Sequence, residues 1–307
     1  MATTHDILPN LALSRATLDR AGHERRDPAL VSRLLSDPDT RMGVVRGDRM
    51  RVEQTSTGTR LALRPPEARD AARLVVYLGR GADGAAYAAV VEDESPEPEA
   101  EWATLRQVGA GLEDTDAGIF TAGLALANWH RHHPRCPRCG AATVPEQGGW
   151  IRKCEQDGSE HYPRTDPAVI MSVIDPIERL LLARSPGWPE RNYSVLAGFV
   201  EPGESLESAV AREVAEEVGL AVEDVRYLGN QPWPFPSSLM VGFEARTLTT
   251  ELRLDPEEIS DALWVTRDDY RARLRAGELR VPTGISIAKR IIERWLGESV
   301  DDVVSRP

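Results

Sequence analysis

The segment that most restricts the local structure of this 307-residue chain is residues 198–220, GFVEPGESLESAVAREVAEEVGL. Within it, Glu216 lies three residues and Glu217 four residues after Glu213. Residues with these spacings share one face of an α-helix, so the three carboxylates are predicted to project together. Three like charges on one face repel one another unless divalent cations lie among them, and hard oxygen ligands suit Mg²⁺ or Mn²⁺. The segment therefore predicts a metal-binding helix, with a solvated acidic face as the alternative.

The residues around these acids predict a loop, a helix and a second loop. Ser205 is suited to accept backbone N–H bonds as the N-cap, and Gly219 to end the helix in a left-handed conformation. Gly198 and Gly203 are expected to allow a tight loop before the helix. Arg212 is placed to pair with Glu204 or Glu216 and to fix the carboxylate geometry, with a simple surface ion pair as the alternative. The side opposite the acids is apolar and is predicted to pack against the core: Ala209, Val210, Val214 and Val218.

The whole segment resembles the signature of the Nudix hydrolases, Gly-x5-Glu-x7-Arg-Glu-U-x-Glu-Glu-x-Gly-U with U apolar, at every defining position. The resemblance implies an α/β fold, a Nudix α/β/α sandwich with a mixed sheet, and metal-dependent hydrolysis of a nucleoside diphosphate linked to another group. It implies catalytic roles for Glu213, Glu216 and Glu217, with Glu217 orienting or deprotonating the attacking water. The implied ligands of Mg²⁺ or Mn²⁺ are Glu213, Glu217, Glu258 and the main-chain carbonyl of Ala197.

A second segment, Gln231–Ser238, reads QPWPFPSS. Three prolines in five residues predict a rigid extended stretch that presents Trp233 and Phe235 at fixed angles. Flat aromatic side chains suit stacking against adenine or nicotinamide, and preorganisation lowers the entropic cost of binding. The alternative is a proline-rich loop whose aromatic side chains pack in the core.

This second segment resembles the SQPWPFPxS signature of the NAD(H) pyrophosphatases, with Asn230 in place of the first serine. The resemblance implies cleavage of NAD(H) to NMN(H) and AMP, in a family that also removes NAD caps from RNA 5′ ends and acts as homodimers. The substrate contacts that it implies are Tyr162, Phe199, Gln231, Pro232, Trp233, Pro234, Phe235, Pro236, Ser237, Ser238 and Ala288.

Three other functions are weighed against this one. A Nudix hydrolase of ADP-ribose or nucleotide sugars would not need the segment at residues 231–238. A non-catalytic Nudix-like sensor of NAD or ADP-ribose would usually lack some of the acidic metal ligands. Here all four acidic residues of the implied site are present: Glu213, Glu216, Glu217 and Glu258. A zinc-ribbon nucleic-acid adaptor is disfavoured by the net charge of −12, because broad binding to nucleic acid requires a basic face.

All three cysteines fall in one short region. Cys136, Cys139 and Cys154 resemble the first three positions of the zinc ribbon of this family, Cys-x2-Cys-x14-Cys-x2-Cys, and Asp157 stands at the fourth. Tetrahedral zinc requires four ligands, and the hard oxygen of aspartate suits zinc less well than thiolate. His133 and His161 are alternative donors, and a ribbon held by packing without metal is a further alternative.

The chain is predicted to contain an N-terminal mixed α/β domain (1–130), a zinc-ribbon-like module (131–165), a Nudix domain (166–297) and a tail (298–307). Strands Met42–Val45 and Met50–Glu53 are expected to form a hairpin around a Gly-Asp turn. A helix is expected at Thr115–His132, and an exposed acidic loop at Val91–Glu101.

The sequence GRGADG at residues 79–84 satisfies the Gly-x-Gly-x-x-Gly fingerprint of dinucleotide-binding folds. That fingerprint must open a helix whose N-terminus meets the pyrophosphate. Here AAYAAVV follows, which alternates as a strand does, so a hairpin turn between Leu74–Leu78 and Ala85–Val91 is predicted instead.

Composition limits the setting in which the chain acts. The longest apolar runs, such as Val169–Ile174, are the length of strands, so no membrane span is expected. An odd number of cysteines makes a disulfide framework unexpected and favours a reducing interior. The first ten residues lack the pattern of a secretory signal. We therefore expect a cytoplasmic protein. The family resemblance implies that its partners are NAD(H), NAD-capped RNA and a second copy of itself.

Overall fold

The computed structural model describes residues 7–92 and 101–305, and these residues fall into two compact units. The N-terminal unit consists of Ala12–Thr165 together with Pro232–Ser238. The C-terminal unit consists of Asp166–Gln231 and the residues from Leu239 onward, together with the residues up to Leu11. No helix in the described ranges is both long and apolar enough to cross a bilayer.

The N-terminal unit is built on a six-stranded sheet of order β3-β2-β1-β5-β4, in which β6 also pairs with β2. β1 and β5 pair in parallel, and the other pairings are antiparallel. The strands are β1 Arg41–Arg46, β2 Arg49–Thr55, β3 Gly58–Leu61, β4 Leu74–Arg80, β5 Ala86–Glu92 and β6 Trp102–Thr104. The helices are α1 Leu30–Ser36, α2 Leu105–Val108 and α3 Asp114–His132.

Both predicted hairpins of this unit are confirmed. β1 pairs with β2 around Gly47, which has a φ of 61° that favours glycine. β4 pairs antiparallel with β5 across the GRGADG turn, so this sequence connects two strands and does not open a helix. The predicted helix at Thr115–His132 corresponds to α3. Most of the predicted acidic loop, residues 93–100, lies outside the described ranges.

The cysteine region forms a separate three-stranded antiparallel sheet of order β7-β8-β9. Its strands are β7 Thr143–Glu146, β8 Ile151–Cys154 and β9 Glu160–His161. Tight turns before β7 and between β8 and β9 carry the cysteines and Asp157, so the small sheet sets the spacing of these side chains.

The C-terminal unit has a second six-stranded sheet, of order β13-β14-β10-β11-β15, in which β12 also pairs with β10. Its strands are β10 Asp166–Ile174, β11 Leu180–Arg184, β12 Leu196–Phe199, β13 Glu223–Trp233, β14 Ser238–Arg246 and β15 Asp261–Val265. Its helices are α4 Leu206–Val218, α5 Arg267–Arg275, α6 Ile287–Leu296 and α7 Val300–Ser305.

Strand β10 is buried on both faces, which makes this unit a sandwich of three layers. Val169, Met171 and Val173 lie in the core cluster that contains the apolar face of α4. Ile170 and Ile174 lie in the opposite cluster, with residues of α5, α6 and α7. Because alternate side chains of a strand point to opposite faces, one apolar run serves both layers. The α/β/α architecture expected from the sequence is therefore observed.

The last residues differ from the sequence expectation. Within the range expected to be a tail, α7 forms at Val300–Ser305, and Val300 and Val303 are fully buried in the cluster with α6. Two valines three residues apart are too short a pattern to indicate a helix without its packing partner.

Candidate functional site

Helix α4 has the termini that its sequence predicts. The Ser205 hydroxyl accepts a hydrogen bond from the Ser208 N–H at 3.1 Å, and Gly219 has a φ of 72°. Four apolar side chains are fully buried on the opposite side: Ala209, Val210, Val214 and Val218. Capping and apolar packing fix the rotation of the helix, and this rotation directs its acidic face.

Three glutamates come together at this helix. Glu213 and Glu217 are each only 8% exposed, and Glu258 follows from the loop after β14. Carboxylate oxygens of the three residues all lie within 4.8 Å of one another. The Asp255 N–H donates to the Glu217 carbonyl at 3.1 Å, so the backbone of the Glu258 loop is fastened to the end of α4.

The electrostatics of this cluster favour a cation. Burial raises the pKa of Glu217 to about 8, with further contributions from the charges of Glu213, Glu258 and Glu216. Burial also raises the pKa of Glu213, against the opposing effect of Arg212. Glu217 Oε2 is buried and has no hydrogen-bond partner. A buried carboxylate oxygen without a donor is costly, and a divalent cation with oxygen ligands would satisfy it.

Strand β12 lies directly against the cluster. It pairs with β10 so that Ala197 is opposite Ile170 and Gly198 opposite Val169. A Cβ atom at Gly198 would lie 1.8 Å from Glu213 Cδ. The expectation that Gly198 serves a tight loop is therefore wrong: it lies in a strand and leaves room for a carboxylate. Gly203, with a φ of 90°, does lie in the loop.

Arg212 connects the loop and the helix. Its guanidinium donates to both oxygens of Glu204, at 2.8 and 2.9 Å, and to the Phe199 carbonyl at 2.8 Å. It also donates to Glu213 and Glu216, at 2.8 and 2.9 Å. The predicted pairing with neighbouring glutamates is thus confirmed. Arg212 holds Glu213 in place while Glu216, whose side chain is 57% exposed, remains at the rim outside the three-glutamate cluster.

The segment at 231–238 departs from its predicted shape. Residues 234–237 form a turn between β13 and β14 and not an extended stretch, because the chain reverses direction there. Gln231 is fully buried, and its side-chain amide donates to the Ile285 carbonyl at 2.8 Å. Trp233 and Phe235 lie edge to face with ring centroids 5.0 Å apart, and both remain partly accessible.

Two residues missed by the sequence analysis contact this turn. The Arg106 guanidinium carbon lies 3.9 Å from the centroid of Phe235 and 4.9 Å from that of Trp233. The Asn128 amide donates to the Pro234 carbonyl at 3.0 Å. The contacts span more than a hundred residues of sequence, and no local pattern around Arg106 or Asn128 indicates them.

The remaining predicted substrate contacts have different environments. Tyr162 is 63% exposed, and its hydroxyl donates to Glu160 at 2.8 Å. Phe199 is 61% exposed, at the end of β12. Ala288 is buried in the first turn of α6, and its N–H donates to the capping Ser286 hydroxyl at 3.2 Å. The two exposed aromatic rings can accept a stacked base, while Ala288 offers only its backbone.

The cysteine region brings four candidate ligands together. Cys136, Cys139, Cys154 and Asp157 each offer an atom within 4.8 Å of the others. Cys139 Sγ lies 3.5 Å from Cys154 Sγ, and Cys136 Sγ lies 3.7 Å from Asp157 Oδ2. None of the three cysteines forms a disulfide.

The two turns that carry these ligands have the same geometry. The Gly140 N–H donates to the Cys136 carbonyl at 2.9 Å, and the Gly158 N–H to the Cys154 carbonyl at 3.1 Å. Both glycines are left-handed, with φ of 76° and 71°. Asp157 therefore occupies, in the second turn, the position that Cys139 occupies in the first. The donor set of three thiolates and one carboxylate fits zinc.

The two histidines considered as alternative ligands lie outside this cluster. His133 Nδ1 lies 3.0 Å from the Trp129 carbonyl at the end of α3. His161 Nε2 lies 3.1 Å from the Ser159 hydroxyl, which donates to Asp157 Oδ1 at 2.5 Å. His161 is thus linked to Asp157 through Ser159. Against the effect of burial, a hydrogen bond from His161 also helps to lower the pKa of Cys136.

Comparison with family models divides the chain in three. Residues 164–282 match the NUDIX domain, residues 131–162 the NADH pyrophosphatase zinc ribbon domain, and residues 39–129 the NADH pyrophosphatase-like rudimentary NUDIX domain.

Individual proteins are also similar over much of the chain. "NAD-capped RNA hydrolase NudC" of Mycobacterium bovis (strain BCG / Pasteur 1173P2) is 46% identical over 244 residues, which cover 75% of this chain and 76% of that protein. The protein of the same name from Mycobacterium tuberculosis (strain ATCC 25618 / H37Rv) has the same identity and coverage. "NAD-capped RNA hydrolase NUDT12" of Homo sapiens is 41% identical over 197 residues, 60% of this chain and 43% of that protein.

Proposed function

Because this chain belongs to the NAD-capped RNA hydrolase family of Nudix hydrolases, we propose that it cleaves the diphosphate of NAD(H) to NMN(H) and AMP and removes NAD caps from RNA 5′ ends. The family membership expected from residues 198–220 and 231–238 is confirmed by the relatives and the three family models. The observation that carries the hydrolytic proposal is the buried Oε2 of Glu217, which lacks a partner inside a cluster of three glutamates.

We propose that Glu213, Glu217 and Glu258, with the Ala197 carbonyl, hold Mg²⁺ or Mn²⁺. Such ions, when bound, neutralise a diphosphate and lower the pKa of a bound water. Glu217 is proposed to take the proton of the attacking water at Oε2. Arg212 donates a hydrogen bond to the Glu213 carboxylate, and the missing side chain of Gly198 leaves room for this carboxylate. Both features keep Glu213 in one position.

Glu216 has a different proposed role from its neighbours. It is exposed at the rim and already accepts a hydrogen bond from Arg212. We propose that it orients Arg212 and adds negative charge near the cluster, where it contributes to the raised pKa of Glu217.

Substrate recognition is proposed for two groups of residues. Trp233 and Phe235 offer aromatic edges beside the Arg106 guanidinium, a combination suited to a base and a phosphate. Exposed Tyr162 and Phe199 are proposed to stack on the nicotinamide nucleotide. The remaining proposed contacts are Gln231, Pro232, Pro234, Pro236, Ser237, Ser238 and Ala288.

A structural zinc ion is proposed for the cysteine region, with Cys136, Cys139, Cys154 and Asp157 as ligands. The proposal is supported by the zinc ribbon match and by the two equivalent turns. We further propose a homodimer that acts in the cytoplasm, as the family resemblance and the unpaired cysteines favour. Light scattering on purified protein would report the mass of the assembly.

The substrate proposal is tested by a turnover panel of NADH, NAD, ADP-ribose and NAD-capped RNA, each with Mg²⁺ or Mn²⁺. NMN(H) with AMP, and 5′-monophosphorylated RNA, are the expected products. Glu217→Gln keeps the size of the side chain, removes its charge, and should lower turnover by roughly 10²–10⁴-fold. Turnover of ADP-ribose alone would favour the alternative Nudix activity. A Glu217→Gln variant with wild-type turnover would refute the role of this residue.

A further inference from the structure

A guanidinium and indole cluster lies in the N-terminal unit, near the start of the described chain. The Arg25 guanidinium carbon lies 3.6 Å from the ring centroid of Trp150, and that of Arg20 lies 5.7 Å from it. Trp150 is itself fixed, because its indole N–H donates to the Tyr77 carbonyl at 2.7 Å. Two cations are therefore held beside one rigid aromatic ring.

The carboxylates nearby are already engaged by other cations. Glu24 accepts hydrogen bonds from Arg80 and Tyr77, and Asp27 pairs with Arg33. Other acids of this region are paired as well: Glu92 with Arg46 and Arg73, and Glu146 with Lys153. Within the part of the chain that the structure describes, Arg20, Arg25 and Arg26 form no ion pair.

The resulting positive charge is costly for this unit. Burial lowers the pKa of Arg25, and the charge of Arg20 lowers it further. Arg25 Nε is buried and has no hydrogen-bond partner, although one terminal nitrogen donates to the Arg20 carbonyl at 3.0 Å. In a chain of net charge −12, intramolecular carboxylates are plentiful, and those in this region, such as Asp27 and Glu146, pair with other cations. An anion supplied from outside would satisfy both the charge and the free donor.

A cleft of about 530 Å³ opens beside this cluster. Its lining includes the cations Arg25, Arg26 and Arg73 and the carboxylates Asp27 and Glu146, which are paired with Arg33 and Lys153. The volume is in the range of sites for small ligands. The backbone at Gly149 packs closely against Val76, since a Cβ there would lie 2.5 Å from a Val76 methyl carbon.

We propose that this cleft binds phosphate groups, carried by a free nucleotide or by an RNA strand. Arginine presents a planar fork of donors that matches phosphate oxygens, and Arg25 and Arg26 are available for such contacts. The three arginines precede residue 39, where the first family match begins, so the family models do not account for them. The site does not depend on the proposed hydrolysis, because it uses none of the glutamates.

Direct binding tests the proposal. We would measure fluorescence anisotropy of a short 5′-phosphorylated, 3′-labelled single-stranded RNA with the full chain. The buffer contains no added Mg²⁺ or Mn²⁺, so that no such ion bridges the RNA to the glutamates, and no chelator that would remove zinc. The double variant Arg25→Ala/Arg26→Ala removes the two arginines of the cleft that form no ion pair among the described residues. It should bind at least about tenfold more weakly, the loss expected for one charge-assisted hydrogen bond. The RNA association constant of the variant should also depend less on salt. The slope of its logarithm against the logarithm of the salt concentration should be smaller by about 1.4, which is about 0.7 for each of two lost phosphate contacts.

Two further variants separate the site from general charge. Arg51→Ala/Arg60→Ala removes two arginines that are paired with Glu101 and Glu53, and it should bind as the wild type does. Arg25→Lys/Arg26→Lys keeps the charge and should retain part of the affinity, and it also serves if the alanine pair unfolds.

Competition with ATP and inorganic phosphate identifies the source of the phosphate. Displacement of the RNA by millimolar ATP or phosphate indicates a site for small anions, whereas resistance indicates a site for the strand. Wild-type affinity and salt slope in the alanine pair, or no binding of RNA and ATP by the wild type, would overturn the proposal.

Discussion

Removing the charge of Glu217 should stabilise the metal-free protein even though we expect it to lower turnover. The reason is that Glu217 is buried next to Glu213 and Glu258, and its Oε2 has no donor. Its pKa is raised from an ordinary 4.5 to about 8. Glutamine at this position is neutral at every pH and keeps nearly the same volume.

The sign and size of the effect follow from this raised pKa. Below about pH 4.5 the carboxyl is protonated in the folded and unfolded states, so it does not affect stability. Between 4.5 and about 8 the unfolded state ionises first, and the folded state loses about 1.36 kcal/mol for each pH unit. Above pH 8 the full cost is at most on the order of 5 kcal/mol, because small relaxations and water entry reduce it.

Glu217→Gln should therefore match the wild type near pH 5 in EDTA and exceed it by a few kcal/mol at pH 8. Saturating Mg²⁺ should narrow this difference, since a ligand at a hundred times its Kd stabilises the wild type by about 2.7 kcal/mol and the variant much less. Calorimetric melting of the C-terminal unit would measure these differences, since each kcal/mol of stability shifts the melting temperature by about 2–4 °C.

Glu207→Gln provides the matched control, because Glu207 is exposed in the first turn of the same helix and is not part of the cluster. Its melting temperature relative to the wild type should not depend on pH between 5 and 8. If Glu217→Gln is no more stable than the wild type at pH 8 in EDTA, or if Mg²⁺ stabilises both equally, the reasoning about a buried, repelled carboxylate is wrong.

Three other changes have defined outcomes. Gly198→Ala places a methyl group against the Glu213 carboxylate and should lower turnover on the order of 10²-fold, while the melting temperature stays near that of the wild type. Unaltered kinetics would contradict the close approach of Gly198 to Glu213. Asp157→Ala should reduce the zinc content of the purified protein, and Asp157→Cys should preserve it. Metal analysis and chelator competition measure this content. Equal zinc in the wild type and both variants would exclude Asp157 as a ligand. Arg212→Lys cannot form the two parallel hydrogen bonds that the guanidinium donates to Glu204. It should reduce the free energy of unfolding, measured by urea titration, by about 1–3 kcal/mol and should also lower kcat. A wild-type titration curve would contradict this.

Local sequence was informative wherever the structure depends on neighbours in the chain. Ser205 and Gly219 mark the ends of α4 because capping involves residues one turn apart. The GRGADG turn was recognised as a hairpin because the alternation after it is local. Arg212 was expected to pair with glutamates four and eight residues away, and it does.

Sequence was less informative where distant segments meet. The role of Gly198 depends on the carboxylate of Glu213, which approaches from a different element. The contact of Arg106 with Phe235 joins residues more than a hundred positions apart. The turn at 234–237 follows from the pairing of strands on either side of it, which prolines alone do not specify.

By itself, then, the sequence determined the helix, its caps, the spacing of its acids and the family to which the chain belongs, because each of these is a pattern of near neighbours. Tertiary structure alone decided that Glu213 and Glu217 are buried and meet Glu258, while Glu216 lies outside this cluster. It also decided that Arg20 and Arg25 lie beside Trp150 and, among the described residues, form no ion pair. Burial and charge balance depend on every segment that packs around a group, and those segments are far apart in the chain.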